Sequence, residues 1–355
     1  MSVTVSVIVP TYNERDNIPE LVQRLDKAMR EAGIEYEVVV VDDNSPDGTA
    51  EVAEELSGEY PVKVLRRPGK LGLSSAVLDG VKVAAGGIIV VMDADLQHPP
   101  ETVPRLVKAV LDGCDVAIGS RYVRGGSVKG WSAFRKLISK GATLIARVLL
   151  PQAKHVKDPM SGFFAFRREV VESGEEMNPR GFKILLEVLV KGKYGKVCEV
   201  PYTFGTRLAG KSKLGTSEII NYIVHVLNLS PHYVRFMIVG GIGTLVNLGV
   251  LLVLRAVGLI HAIASAVAIE ASVLSNFELN DRWTFKAHKS GGRLGRLAKF
   301  HLSSAAGIAV QWGVSNLIYY ELLQNSIIAQ LAGILLGFIV NYTMSKRFVW
   351  GLGKH

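Results

Sequence analysis

The pattern of hydrophobic and polar positions divides the chain into two parts that meet near residue 230. In the first part, short apolar runs alternate with stretches in which apolar residues recur every three or four positions. The short runs predict β-strands and the periodic stretches predict amphipathic helices. The predicted strands cover 5–10, 38–41, 62–65, 88–92 and 116–118, and the predicted helices cover 18–31, 49–56, 73–85 and 102–111. This alternation indicates an α/β fold with a largely parallel sheet.

The second part contains three long runs without an acidic or basic residue. They are 19, 21 and 24 residues long, at 236–254, 300–320 and 322–345. Because a bilayer core needs about 20 apolar residues of helix, each run is long enough to span a membrane, and three such runs are rare in soluble folds. A fourth apolar segment, 262–279, carries Glu270 and Glu278. We therefore predict an all-α domain over 231–355 with four transmembrane helices.

The membrane part also contains an internal sequence repeat. Arg235-Phe236 aligns with Lys299-Phe300 at an offset of 64, and Gly243 and Asn247 then align with Gly307 and Gln311. Repeats of this kind predict two helical hairpins of the same orientation. Glu270 lies in the middle of a span, where an isolated charge is costly, so we expect it to be protonated or paired with another helix.

The distribution of charge predicts how the chain is oriented across the membrane. The formal net charge is +9, and residues 231–355 contribute +7 of it from 11 basic and 4 acidic residues. Six of the basic residues lie in 281–299 and three follow from Lys346. Basic loops stay on the cytoplasmic side, so both termini and the middle loop are expected there, in a multi-pass protein of the cell membrane. No basic region precedes the first apolar run, so no signal peptide is expected, and the juxtamembrane position of the charge argues against nucleic-acid binding.

The two cysteines, Cys114 and Cys198, are too few for a disulfide framework and form no zinc motif. We expect two reduced, partly buried thiols. A hydrophobic content of 48% with 21% charged residues excludes a disordered chain.

Candidate chemistry lies where the predicted strands end. Polar clusters follow three strands, at 10–14, 42–48 and 93–98. In parallel sheets, ligands bind beyond the carboxyl ends of the strands. Asp93 and Asp95, with Gln97, offer the hard oxygen ligands that Mg²⁺ or Mn²⁺ shares with a diphosphate. The alternative for such a pair is turn capping, and His98 is expected to be a turn residue rather than a ligand.

Several motifs together resemble glycosyltransferase family 2, whose nucleotide-sugar fold is called GT-A, and within it the dolichyl-phosphate mannosyltransferases. The matching stretches are V-P-T-Y-N-E-R from residue 9, V-V-V-V-D-D-N-S-P-D-G-T from 38, V-M-D-A-D-L-Q-H-P-P-E from 91, G-S-R-Y from 119, K-D-P-M-S-G-F-F-A-F-R from 157, G-F-K-I-L-L-E from 181 and G-K-S-K-L from 210. The C-terminal part resembles the GtrA-like membrane domains found in some of these enzymes.

The resemblance implies roles for individual residues. Those that match nucleotide-sugar contacts are Pro10, Tyr12, Glu14, Val41, Asp43, Asp93, Ala94, Arg121, Lys183, Arg207 and Lys213. Those that match the metal site are Asp93, Asp95 and Gln97, and we expect Asp95, Arg121 and Arg207 to act in catalysis. Arg207 is a single arginine in a loop that often carries two.

The resemblance further implies mannose transfer from GDP-mannose to dolichyl phosphate, with inversion and with a divalent cation, Mn²⁺ or Mg²⁺. A lipid phosphate is ionised at neutral pH and can attack without a general base, so Asp158 is expected to be structural or to contact the sugar. One alternative is the same reaction with UDP-glucose. Another is a transporter of lipid-linked sugars with a non-catalytic α/β domain. A polysaccharide synthase is disfavoured because no Q-x-x-R-W motif is present.

The acceptor would have to be reached at the surface of the bilayer. Residues 129–150 combine Trp131, Phe134 and Leu137 on one side with basic residues around them, and 217–229 lead into the first span. Both stretches predict interfacial amphipathic helices belonging to a cytoplasmic domain over 1–230. The resemblance implies that Arg135 and Ser139 hold the acceptor phosphate.

Overall fold

The computed structural model describes residues 5–177, 183–206, 216–286 and 292–348, and for 216–218, 339 and 341–348 it describes the backbone alone. The chain forms two compact units, Met1–Ser230 and Pro231–His355.

The first unit is built on a seven-stranded sheet. Its strands in spatial order are β3 (Val62–Arg66), β2 (Tyr36–Asp42), β1 (Val5–Thr11), β4 (Ile88–Val91), β7 (Phe164–Arg167), β5 (Val116–Ser120) and β8 (Val197–Pro201). All neighbouring pairs are parallel except those made by β7. A short second sheet pairs β6 (Ser127–Val128) with β9 (Thr203–Phe204). The predicted α/β class and mostly parallel sheet are confirmed.

Helices cover both faces of the sheet, because the central strands are apolar on both sides. Val5, Val7 and Val9 of β1 pack into the core on one face, whereas Ile8 packs into the core on the other. The helices of this unit are α1 (Ile18–Glu31), α2 (Thr49–Leu56), α3 (Leu73–Val83), α4 (Val103–Leu111), α5 (Ala133–Leu149), α6 (Glu169–Glu172), α7 (Ile184–Lys191) and α8 (Thr216–Leu229). The first core contains buried residues of α1, α2 and α4, and the second contains those of α3 and α7. Two buried layers of this kind explain why the central strands read as continuous hydrophobic runs.

The state of the two cysteines corrects an expectation. Cys114 and Cys198 are joined in a disulfide, with their Cα atoms 6.0 Å apart. They are 84 residues apart in sequence, and they meet because β5 and β8 pair in register, with Ala117 opposite Cys198. The expected reduced thiols were therefore wrong. Strand order decides this contact, and the spacing of two cysteines along the chain does not reveal it.

The two predicted interfacial helices correspond to α5 and α8, and they pack against each other. Ala146 of α5 and Val226 of α8 share a small buried cluster, and the Tyr222 hydroxyl donates to the carbonyl of Ala142. Both helices also leave large apolar side chains in solvent: Phe134, Leu137, Leu144 and Val148 on α5 and Ile219, Ile220, Ile223 and Val224 on α8. Helix α5 begins at Ala133, so Trp131 lies before it and not on its apolar face as predicted.

The second unit is helical throughout the part that the structure describes. Its helices are α9 (His232–Ala256), α10 (His261–Leu279), α11 (Arg293–Leu317) and α12 (Ser326–Phe348), with π-helical turns at Asn280–Thr284 and Ile318–Leu322. Helix α9 packs on α10, and α11 packs on α12, as expected for two hairpins. By length and composition, His232–Ala256 and His261–Thr284 can cross a membrane, and Ser326–Phe338 is a shorter apolar stretch. The count of four spans remains a prediction.

Polar side chains connect the helices of this unit. Gln330 of α12 donates to Asn247 of α9, and its side-chain oxygen accepts from Ser265 of α10 and Ser315 of α11. Glu270 pairs with His301 of α11 at 2.9 Å, which confirms that this acid is helix-paired. Hydrogen bonds between helices substitute for those that hydrocarbon cannot provide.

Candidate active site

The polar loops meet at the edge of the sheet where the strand order changes direction. Strand β1 lies between β2 and β4, so the loops that follow these three strands are neighbours. A crevice at such a switch point is the usual ligand site of an open α/β sheet. The three predicted clusters are thus brought together by topology.

The loop after β1 is held against the loop after β2. The Asn13 backbone has φ of 60°, and its N–H donates to Ser45. The N–H of Glu14 donates to Thr49, and its carboxylate accepts from Asn17. These bonds fix the backbone that directly follows Tyr12.

Other predicted nucleotide residues are less accessible. Pro10 and Val41 face each other across β1 and β2, and the Val41 side chain is fully buried in the sheet core. A ligand contact at Val41 would have to come from its backbone. Asp43 is buried, and its carboxylate accepts from the Arg67 guanidinium and, at 2.8 Å, from the N–H of Gly72.

The loop after β4 carries the predicted metal residues. The Asp93 N–H donates to Nδ1 of His98 at 3.0 Å, and one oxygen of Asp95 accepts from the N–H of Gln97. Gln97 is clamped to Gly205, because its side-chain amide donates to the Gly205 carbonyl and its own carbonyl accepts the Gly205 N–H. Leu96, which lies between Asp95 and Gln97, has a backbone φ of 60°. The 93–97 turn is therefore rigidly held.

The buried side chain of His98 packs beneath the 93–97 turn and binds it through the Asp93 N–H. It is buried, stacks on Phe163 with ring centroids 5.1 Å apart, and also contacts Tyr202 and Phe204. Burial lowers the pKa of His98 to about 3, so the imidazole is neutral and its Nδ1 accepts the Asp93 N–H. This matches the expected turn role and leaves the carboxylates as the candidate metal ligands.

The donor set suits a hard divalent cation that also binds substrate. Among the described residues no group of three or more His, Cys, Asp and Glu could hold a metal, so the site would offer Asp93, Asp95 and Gln97. Mg²⁺ commonly takes one or two carboxylates and completes its shell with water and phosphate oxygens. The side chain of Asp93 is partly exposed, and Gly162 leaves open a space beside it that a Cβ, 3.4 Å from the carboxylate, would fill. The residues fit such an ion.

Arg121 is oriented by a buried acid. The backbone N–H, Nε and one terminal nitrogen of Arg121 donate to Asp158 at 2.9, 2.7 and 2.7 Å. Glu199 in turn accepts the N–H groups of Lys157 and Asp158. Burial acts to lower the pKa of Arg121, but the bonds to Asp158 outweigh it and raise the pKa above its usual value. Both carboxylate oxygens of Asp158 serve Arg121, which agrees with the expected structural role.

A tryptophan joins the two predicted phosphate-binding arginines. The guanidinium carbon of Arg135 lies 4.5 Å from the centre of the Trp131 ring, and that of Arg121 lies 5.4 Å from it. Ser139, one turn beyond Arg135, is 2.8 Å from the Tyr122 hydroxyl. This arrangement was not predicted, because in the sequence Trp131 has the pattern of an apolar helix face.

Lys183 completes the described cluster. Its ammonium donates to the Met160 carbonyl at 2.9 Å. Burial, together with the nearby positive charge of Arg121, lowers the pKa of Lys183 to about 8, against the opposing effect of Asp93 and Asp158. Arg207 and Lys213 lie outside the described residues. The sequence already indicated Asp158, which lies in the K-D-P-M-S-G motif, whereas Glu199 was missed because it stands in no recognisable motif.

Comparisons with known proteins agree with this architecture. Residues 6–174 match the family model for glycosyl transferase family 2, and residues 235–350 match the GtrA/DPMS transmembrane domain. A dolichol-phosphate mannosyltransferase of Pyrococcus furiosus is 51% identical over 98% of this chain and 99% of its own length. Another from Saccharomyces cerevisiae is 42% identical over 64% of this chain and 88% of its own length.

A solved structure shows the fold. The mannosyl-3-phosphoglycerate synthase of Rubrobacter xylanophilus matches with a TM-score of 0.50 and 20% identity, over 66% of this chain and 74% of its own. The expected GT-A architecture is thereby confirmed, and the GtrA/DPMS match makes the chain a membrane protein. The chain therefore belongs to glycosyl transferase family 2, as a glycosyltransferase that combines a GT-A domain with a GtrA/DPMS transmembrane domain.

Proposed function

We propose that this protein transfers mannose from GDP-mannose to dolichyl phosphate, with inversion and with the help of Mn²⁺ or Mg²⁺. The relatives named dolichol-phosphate mannosyltransferase support this sugar and this acceptor. The observation that carries the proposal is that the guanidinium groups of Arg121 and Arg135 both lie close to the indole of Trp131. Two guanidinium groups at one ring, beside the Asp93 and Asp95 loop, suit a reaction between two phosphorylated substrates.

The donor diphosphate binds at the loop after β4. Asp93, Asp95 and Gln97 hold the divalent cation, which offsets the negative charge that develops on the leaving nucleoside diphosphate. Tyr12, Glu14 and Asp43 line the nucleotide end of the crevice. Without a cation the partly exposed carboxylate of Asp93 would repel the diphosphate, and this charge supports the proposed metal dependence.

Arg121 and Lys183 bind oxygens of the donor as its bond to the sugar breaks. Asp158 holds the Arg121 guanidinium in one orientation before substrate arrives, and a preorganised charge needs no rearrangement during the reaction. Arg207 and Lys213 are proposed, from the family resemblance alone, to close over the diphosphate.

The acceptor phosphate binds Arg135 and Ser139 and attacks the anomeric carbon itself. With its second pKa near 6, it is ionised at neutral pH, and no side chain has to remove a proton. Asp158 cannot serve as a base while it accepts three hydrogen bonds from Arg121. A single displacement by this phosphate inverts the anomeric configuration.

We further propose that α5 and α8 lie on the cytoplasmic leaflet. Leu137 and Val148 are each 68% exposed and Phe134 is 71% exposed, which is unfavourable in water and favourable at a bilayer surface. The helices of residues 231–355 anchor the protein as a multi-pass membrane protein, with residues 1–230 and the C terminus in the cytoplasm. The lipid acceptor then reaches Arg135 without leaving the bilayer.

The test is transfer by the full chain in detergent, with dolichyl phosphate, Mn²⁺ and either radiolabelled GDP-mannose or UDP-glucose. Asp95→Ala is the inactive variant, and Asp112→Ala, in an exposed ion pair with Lys108 just after α4, is the matched control. Lipid-extractable label from GDP-mannose alone, lost in Asp95→Ala and kept in Asp112→Ala, is expected. Label from UDP-glucose would overturn the sugar, and no label from either would overturn the reaction. Chelation of the metal should abolish transfer and readdition should restore it.

A further inference from the structure

We propose that Lys70 reads the base of the donor nucleotide by donating hydrogen bonds to the acceptor edge of guanine. The inference rests on GDP-mannose being the donor. Lys70 matches none of the nucleotide-contact positions named from the family motifs, and it lies in the loop between β3 and α3.

The first observation is a contact across two loops. The ammonium of Lys70 lies 4.0 Å from the centre of the Tyr12 ring. Tyr12 follows β1 and belongs to the loop that matches nucleotide contacts. A cation on the face of an aromatic ring is a favourable but weak arrangement at an exposed site, so Lys70 lies beside the loop proposed to bind the nucleotide and can exchange Tyr12 for another partner.

The loop that carries Lys70 is fixed at both ends. Arg67 is buried, pairs with Asp43, and lies 3.2 Å from Asp79. Gly72 has φ of 102° and donates its N–H to Asp43. Both ends of the loop are thus bonded to the carboxylate of Asp43, which matches a nucleotide-sugar contact, whereas the Lys70 side chain is exposed.

Strand order decides which end of the nucleotide Lys70 can reach. The order β3-β2-β1-β4 puts three strand spacings of about 4.8 Å, or about 14 Å, between β3 and β4, and Asp93 lies in the loop after β4. On the proposed function, the diphosphate would lie beside Asp93 and Asp95, beyond the end of β4. The nucleoside therefore extends past β1 and β2 toward β3, and Lys70 meets its base rather than its phosphates.

The chemistry of an ammonium group fits guanine better than adenine. Guanine presents two adjacent acceptors, N7 and O6, and lysine commonly donates to both. Adenine replaces O6 with an amino donor, which repels an ammonium group. Lysine at this position should thus favour GDP over ADP.

The test measures nucleotide binding to the full chain in detergent with Mn²⁺, by isothermal titration calorimetry. Lys70→Met keeps the length of the side chain but removes its charge, and Lys108→Met, at an exposed ion pair on α4, is the control. Affinity for GDP and for inosine diphosphate, which keeps N7 and O6, should fall about 5- to 150-fold in Lys70→Met. Affinity for ADP should change less than twofold, and Lys70→Arg should restore most of the GDP affinity.

Three outcomes would contradict the inference. An equal loss for GDP, UDP and ADP would mean that Lys70 binds phosphate, and an unchanged GDP affinity would mean that it binds nothing. A fall in kcat at saturating donor, rather than a rise in KM, would assign it to the chemical step. Failure of the proposed donor has a different signature, since the unaltered chain would then bind UDP more tightly than GDP. An unchanged melting temperature shows that Lys70→Met still folds.

Discussion

Replacing Asp158 with asparagine tests whether Arg121 depends on its buried partner. Asp158 has no exposed surface, and it receives three donors from Arg121. The asparagine side chain would keep nearly the same shape and one acceptor oxygen. It would also turn an amide donor toward the guanidinium and leave that charge without a counter-ion.

The magnitude follows from the geometry. Hydrogen bonds to charged groups contribute about 1.5–3 kcal/mol each, and removal of one partner from a buried ion pair costs about 3–5 kcal/mol. Because the asparagine oxygen can still accept one or two of the three donors, we expect the lower end, about 3 kcal/mol of unfolding free energy. The rate of transfer should fall about 100- to 1000-fold, the usual loss when a preorganised charge is displaced.

Two measurements separate stability from catalysis. The melting temperature in detergent and the initial rate at saturating substrates should both fall in Asp158→Asn, and neither should change in Asp112→Asn. Adding Arg121→Met to Asp158→Asn removes the unpaired charge and should restore part of the melting temperature, because apolar replacement of a buried pair is often nearly neutral. Activity should not return. Near-normal transfer by Asp158→Asn would refute the positioning role of Asp158.

Three further outcomes are expected. Cys114→Ser should lower the melting temperature of the oxidised protein, because the disulfide closes a loop of about 85 residues and so destabilises the unfolded chain by about 4.5 kcal/mol. A reductant should lower the melting temperature of the unaltered chain to the same value and leave that of the variant unchanged. Gly243→Ala should destabilise the membrane unit, because its Cβ would collide with the side-chain amide of Asn276, whereas Gly249→Ala on the same helix, with nothing within 4 Å, should be neutral or gain about 1 kcal/mol. Because the pKa of Lys183 is about 8, kcat/KM should fall as the pH rises through 8 and the ammonium loses its proton. The fall in kcat should come only at higher pH, because bound diphosphate favours the charged form of Lys183. Lys183→Arg should abolish the fall in kcat/KM.

Local sequence was sufficient for most of the catalytic unit. The helices predicted over 18–31 and 49–56 have the same bounds in the structure, because each has a clear apolar stripe between polar turns. The strands that end in polar clusters were also recognisable, since β1 and β2 are buried and apolar while the residues after them are not. A site at the carboxyl edge follows from those two facts.

Contacts between segments that are distant in the sequence could not be predicted from the local pattern of residues. Strand β7 runs antiparallel between β4 and β5, although β5 comes first in the chain, and only its pairing reveals that position. The Cys114–Cys198 disulfide depends on the pairing of β5 with β8 in the same way. Trp131 was misassigned because an aromatic residue next to a helix has the same appearance whether it faces lipid or a guanidinium.

Helix α5 links the two halves of the proposed reaction through its geometry. At about 100° per residue, Arg135 and Ser139 lie about 40° apart on the side that meets Trp131 and Tyr122. Leu137, Leu144 and Val148 lie about 180° to 220° from Arg135, and all are exposed. One helix would thus bind a phosphate on one side and acyl chains on the other. A lipid phosphate satisfies both faces at once, whereas a soluble phosphate ester satisfies only one, and this is the physical reason to expect selection of a membrane-borne acceptor.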